Sequence, residues 1–117
     1  MEEKQITKLL LQMGITPDLK GFQYLVDAIQ IWNEARPIKP CMTKEVLPRI
    51  AAKYGTSWKN VERGIRVAIY ALGARVPFED VAGILGVRAE AFPEGFNNSQ
   101  FIALCALRIK GEQNESI

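Results

Sequence analysis

The stretch that decides the fold is Leu47-Pro48-Arg49-Ile50-Ala51-Ala52-Lys53-Tyr54-Gly55-Thr56-Ser57-Trp58-Lys59-Asn60-Val61-Glu62-Arg63-Gly64-Ile65-Arg66. Val46, Leu47, Ile50, Ala51 and Tyr54 recur at helical spacing as a core face, and Gly55 stands where a helix end favours a left-handed residue. Thr43 is the expected N-cap, and Pro48 predicts either a kink or a regular part that begins near Leu47. Thr56 and Ser57 offer caps for a following helix, Trp58 to about Leu72, after a loop of about three residues. Two helices that meet across so short a turn need a small residue at their contact, glycine at the turn and a β-branched residue to dock the second helix. Ala51, Gly55 and Val61 meet those needs, with Val61 expected to bury against Ile50 and Tyr54. The pattern predicts a helix-turn-helix over about Leu47 to Arg66.

The second of these helices has two unlike faces. At about 100° per residue, Lys59, Glu62, Arg63, Arg66 and Tyr70 share one sector, while Val61, Ile65, Ala68, Ile69 and Leu72 share the opposite side. Arginine forms a two-pronged hydrogen bond to guanine, glutamate accepts from cytosine, and asparagine suits adenine. Glu62, Arg63, Arg66 and Asn60 are therefore the expected base-reading residues in a DNA major groove. Thr56, Ser57 and Lys59 lie at the helix start, where backbone N–H groups point outward, and are the expected phosphate contacts. Trp58 falls nearer the core side and is expected to pack, whereas Tyr70 suits phosphate or solvent equally. The competing account is an ordinary amphipathic surface helix in which Glu62 and Arg66 form an i,i+4 pair.

Outward from this unit the helical pattern continues in both directions. Ile6, Leu9, Leu10 and Met13 predict a first helix from Glu3 to Met13, closed by Gly14. Phe22, Leu25, Val26, Ile29 and Trp32 predict a second, which follows Thr16-Pro17-Asp18 and runs to about Glu34. Arg36-Pro37-Ile38-Lys39-Pro40 is a loop, since two prolines so close cannot be helical. Pro77 with Phe78-Glu79-Asp80 opens a short fifth helix that ends at Gly86, and residues 87 to 97 are expected as loop. Asn98 or Ser99 is the expected cap of a last helix carrying Phe101, Ile102, Leu104, Cys105 and Ile109 and ending near Gly111. The expectation is an all-α, roughly six-helix bundle forming one domain over residues 1–117, with a frayed polar tail at 112–117.

Composition narrows the function. The chain has 117 residues, 48% of them apolar and 24% charged, enough to bury a core without metals or disulfides. Its net charge is only +2, but residues 43 to 75 hold Lys44, Arg49, Lys53, Lys59, Arg63, Arg66 and Arg75 against Glu45 and Glu62. Such concentration of positive charge suits a nucleic-acid footprint. There is no histidine, no CxxC pair and no glycine-rich phosphate loop, so neither a metal site, a cofactor nor catalysis is expected. Cys41 and Cys105 are expected as buried or half-buried thiols in a reducing cytoplasm. No apolar run approaches bilayer length and no leader opens the sequence, so the expected location is cytoplasmic, at the nucleoid.

Several strings resemble the C-terminal effector domain of the stage zero sporulation protein A family across almost the whole chain. They are Ile6-Thr7 with Leu9-Leu10-Leu11 and Gly14-Ile15, Lys20-Gly21-Phe22-Gln23-Tyr24-Leu25, Ile50-Ala51-Ala52-Lys53-Tyr54, Val61-Glu62-Arg63-Gly64-Ile65-Arg66 with Ala68-Ile69, and Asn98-Ser99-Gln100-Phe101-Ile102-Ala103. The resemblance implies a six-helix bundle that binds a box similar to TGTCGAA, commonly as a tandem homodimer, and contacts an RNA polymerase sigma factor. It implies base and phosphate contacts for Glu62, Arg63 and Arg66. The chain departs from the family pattern with Asn60 in place of arginine and Val67 in place of histidine, and at Val76, Pro77 and Asp80 in the polymerase-contacting segment. The receiver domain usual in that family has no counterpart in these residues, so the expectation is an excised effector domain or a stand-alone relative. A sequence-specific transcription regulator is the first functional expectation. A protein-interaction module that modulates a full-length relative, without strong DNA binding of its own, is the alternative.

Overall fold

A computed structural model describes residues 2–115, and side chains as far as Gly111. Six α-helices follow one another as α1 (Glu2–Met13), α2 (Lys20–Glu34), α3 (Leu47–Tyr54), α4 (Trp58–Arg75), α5 (Phe78–Leu85) and α6 (Asn98–Glu115), with no strand among the described residues. The fold is an all-α bundle.

The bundle is organised around α2. Phe22, Leu25, Val26, Ala28, Ile29, Ile31 and Trp32 are all buried, so this helix is apolar nearly all round and touches α1, α3, α4 and α6. From α1 come Ile6, Leu9, Leu10 and Met13, and from α6 come Phe101, Ile102, Cys105, Ala106 and Ile109, into a single core. Truncating a fully buried Leu25 or Ile29 to alanine should cost about 2 to 5 kcal/mol.

Helices α2 and α4 approach closely enough to need glycine. A Cβ on Gly21 would lie 2.1 Å from the carbonyl oxygen of Gly64 and 2.9 Å from the Ala68 Cβ. On the other side, a Cβ on Gly64 would lie 2.9 Å from the Tyr24 ring. Both glycines are therefore required by close contact between the helices rather than by a turn, Gly21 by the backbone of α4 and Gly64 by the Tyr24 ring.

Chain punctuation explains most element ends. Gly14 (φ 110°) closes α1, and Ile15 N–H returns to the Leu10 carbonyl at 3.0 Å. Pro48 sits in the first turn of α3, where its missing N–H leaves no bond unmade, and a single π turn, Met42–Val46, leads into it. Thr43 lies inside that π turn rather than capping a helix, and Cys41 is the residue that precedes it. Cys41 is exposed, contrary to expectation, and its thiol pKa is lowered by the backbone N–H of Lys44 and the Thr43 hydroxyl; Cys105 is buried and its pKa raised.

Helix ends and one loop differ from the expected ones. α4 runs to Arg75, one turn beyond Leu72, because nothing in Gly73-Ala74-Arg75 stops it before Pro77. Residues 87 to 97 contain one 3₁₀ turn, Ala89–Ala91, followed by Phe92 and Phe96, whose rings meet edge-on, with Phe78 tilted against Phe96. α6 is capped by Asn97, one residue earlier than expected: its side chain accepts from Gln100 N–H at 2.8 Å while the Gln100 side chain accepts from Asn97 N–H at 3.0 Å. The helix continues through Gly111 to Glu115, so the part of the expected frayed tail that is described is helical, and residues 116 and 117 lie outside the described residues.

Candidate nucleic-acid interface

The turn between α3 and α4 is the three residues Gly55, Thr56 and Ser57. Gly55 adopts φ 63° and ψ 39°, a left-handed conformation that costs other residues energy, and its N–H and that of Thr56 both return to the Ala51 carbonyl. Ala51 is buried where the helices meet, and Val61 is fully buried from the α4 side. Ser57 caps α4 by accepting from Asn60 N–H at 3.2 Å, and the Asn60 amide donates to the Thr56 hydroxyl at 3.0 Å. Thr56, Ser57 and Asn60 thus form one hydrogen-bonded cluster at the start of α4.

Along α4 the two faces separate as the spacing predicts. Val61, Ile65, Ala68 and Leu72 are buried, and Ile69 is half-buried. Lys59, Asn60, Arg63, Arg66 and Tyr70 are exposed, with Glu62 half-buried. Glu62 and Arg66 do not pair, and the Glu62, Arg63 and Arg66 side chains have no hydrogen bond or ion pair within the described residues. Glu62, Arg66 and Tyr70 line a shallow cleft between α4 and the start of α6, where Asn98 Nδ2 donates to the Glu62 carbonyl at 3.3 Å.

Two aromatic residues depart from their expected places. Trp58 is 40% exposed at the N-terminus of α4, with the Lys59 ammonium 5.8 Å from its ring centre. Tyr54 is 38% exposed and stands outside the core; its hydroxyl donates to Asp27 at 2.6 Å. Burial of the phenol, and then its bond to Asp27, raise the Tyr54 pKa.

The cluster of positive charge is partly engaged inside the protein. Arg49 pairs with Glu34 at 3.2 Å, Lys53 with the buried Asp27 at 3.1 Å, and Arg75 donates to the Gly14 carbonyl. Lys44, Lys59, Arg63 and Arg66 have no ion pair within the described residues. The charges left to act outward are concentrated on α4. The first turn of α4 also carries no acidic residue, so the positive end of its dipole is uncompensated.

These features define the class: an all-α helix-turn-helix domain whose second helix presents a free basic face. Residues 6–109 match the family model described as sporulation initiation factor Spo0A C terminal, and the chain belongs to that family. It is accordingly a DNA-binding domain of a sporulation transcription regulator, from a family of DNA-binding domains rather than of enzymes. No helix of the described residues is long and apolar enough to cross a membrane.

Two elements of this region escaped the sequence. Asp27 stands in an apolar stripe with nothing local to mark its partners, which lie 26 and 27 residues away. Gly21 and Gly64 each sit inside a helical pattern, and a glycine tolerated there is itself a signal of close approach.

Proposed function

We propose that α4 enters the major groove and reads a short box resembling TGTCGAA. Glu62, Arg63 and Arg66 contact bases, joined by Asn60, while Thr56, Ser57 and Lys59 contact phosphates on the flanking backbone. The observation that carries this reading is the state of the exposed face of α4: Arg63, Arg66 and Glu62 are unpaired, although Glu62 and Arg66 stand one turn apart with opposite charge. An ordinary solvated helix face gains a few tenths of a kcal/mol from such a pair. Leaving the groups separate keeps both available to a ligand with its own donors and acceptors.

Asn60 takes part with its carbonyl oxygen and its second amide N–H, since the Thr56 hydroxyl engages only one of the two. Its oxygen then accepts from a base, which favours a cytosine or adenine amino group at that step. Family membership also supports tandem homodimers on adjacent boxes and an RNA polymerase sigma factor as second partner.

Fluorescence anisotropy of a labelled duplex bearing the box, against a scrambled duplex and at two salt concentrations, tests the reading. Preference for the box at both salts is expected. Equal, salt-sensitive binding to both duplexes would overturn the assigned specificity, and no binding would favour the interaction module, for which the 49% exposed Val67 on α4 is the supporting feature.

A further inference from the structure

One face of α2 touches both helices of the helix-turn-helix. Gly21, Tyr24 and Asp27 recur every three residues on it. Gly21 meets the backbone of α4 at Gly64, and the Tyr24 ring lies against Gly64 as well. The same ring stands edge-on to Tyr54 of α3, centres 5.4 Å apart at 67°. Asp27 then accepts from two consecutive residues in the last turn of α3, Lys53 Nζ at 3.1 Å and the Tyr54 hydroxyl at 2.6 Å. The next residue is Gly55, where the chain reverses toward α4.

A carboxylate is an odd choice for this place. Asp27 is 5% exposed and is the one buried charged side chain among the described residues. Burying a carboxylate is unfavourable unless it is well paired, and an apolar residue of similar size often stabilises as much. What the carboxylate adds is direction. A 2.6 Å bond from a hydroxyl to a carboxylate is short and charge-assisted, fixed in length and angle in a way that apolar contact is not.

We propose that Asp27 is a positioning residue for base recognition: acting through Tyr54, it fixes the last turn of α3 and hence the turn that sets α4 against it. The proposal rests on the major-groove reading of α4. Phosphate contacts on flexible side chains tolerate a small shift of α4, whereas forked hydrogen bonds to base edges do not. Loss of the Asp27–Tyr54 bond should therefore lower discrimination and spare sequence-independent affinity.

The test uses the full chain with Tyr54→Phe, Asp27→Asn and the double variant, titrated against the box and scrambled duplexes well below each variant's melting temperature. The ratio of box to scrambled affinity should fall about fivefold in each single variant, as for coupled neighbours, with scrambled binding unchanged and the double variant no worse than either single. An unchanged ratio, an equal loss on both duplexes, or additive losses in the double variant would each overturn the proposal. Should Asp27→Asn fail to fold, Tyr54→Phe decides alone, since it removes only the hydroxyl that bonds Asp27 and leaves the carboxylate its bond from Lys53 and the ring its place. A wild type without box preference breaks the recognition reading instead. Hydrogen exchange at the Thr56 to Val61 amides then decides positioning: faster exchange in Tyr54→Phe supports it, and unchanged exchange overturns it.

Discussion

Helices α2 and α4 touch backbone to backbone at Gly21 and Gly64 and are otherwise opposites. From that crossing α2 is buried on almost every side, whereas α4 buries Val61, Ile65, Ala68 and Leu72 and turns Arg63, Arg66 and Tyr70 outward. A buried side chain of α2 has neighbours in the helices packed around it, so its chemistry, Asp27 apart, is dictated by volume. An outward side chain of α4 has none, so its chemistry is open to a ligand's requirements. Damage to α2 should therefore appear in stability first, and damage to the outer face of α4 in binding with stability intact.

The strongest way to break that contrast is Gly21→Ala. The added methyl meets a backbone oxygen, which cannot swing aside, so the helices must separate. Loss of about 3 kcal/mol or more of stability is expected, read by urea denaturation, with DNA binding falling only because the fold does. On the other helix, Arg63→Ala and Arg66→Ala should each weaken box binding by about 1 to 3 kcal/mol with an unchanged denaturation midpoint. A large shift of midpoint in either would place that arginine in the fold rather than at the ligand.

Smaller effects sharpen the comparison within α4 itself. Lys59→Ala should weaken binding to box and scrambled duplexes alike and lower the slope of log K against log salt by about one. Least of all is the effect of alkali on the contact of Asp27 with Lys53 and Tyr54. Hydrogen bonding to Asp27 raises Lys53 above the ordinary lysine value of 10.5, and burial raises Tyr54 above 10.0. Both folded groups hold their protons to higher pH than the unfolded chain does, so their contribution is intact below about pH 10 and is lost as pH rises through the raised values. Denaturation midpoints from pH 8 to 11 should fall in wild type, and fall less in Tyr54→Phe.

What the sequence discloses follows the same division. Period and punctuation place all six helices, because apolar stripes and terminal glycines or prolines act locally. The outer face of α4 is legible for the same reason: helical spacing alone puts Lys59, Arg63 and Arg66 on the side away from Val61 and Ile65. The partners of Asp27 are not legible, since they lie 26 and 27 residues along the chain on another helix and no local period connects them. Tyr54 misleads because a phenol fits either the core or a buried acceptor at its edge. The start of α6 was legible in principle, as Asn97 with Gln100 three residues on is a capping box, and Asn98 and Ser99 obscure it by being good caps themselves. Gly111 misleads in the other direction: a glycine ends a helix only where it turns left-handed, and here it does not.

The glycine crossing has a consequence for how this chain can vary. A bulky side chain at one side of an ordinary helix contact is accommodated by a smaller one opposite, and the pair drifts together over generations. At residues 21 and 64 each partner is already the smallest residue there is. No change at one can compensate a change at the other, so residues 21 and 64 cannot drift as a pair, and a side chain at 64 would have to be met by a smaller one at Tyr24. A suppressor of Gly21→Ala has to be sought elsewhere, among the residues that let α4 move away as a whole.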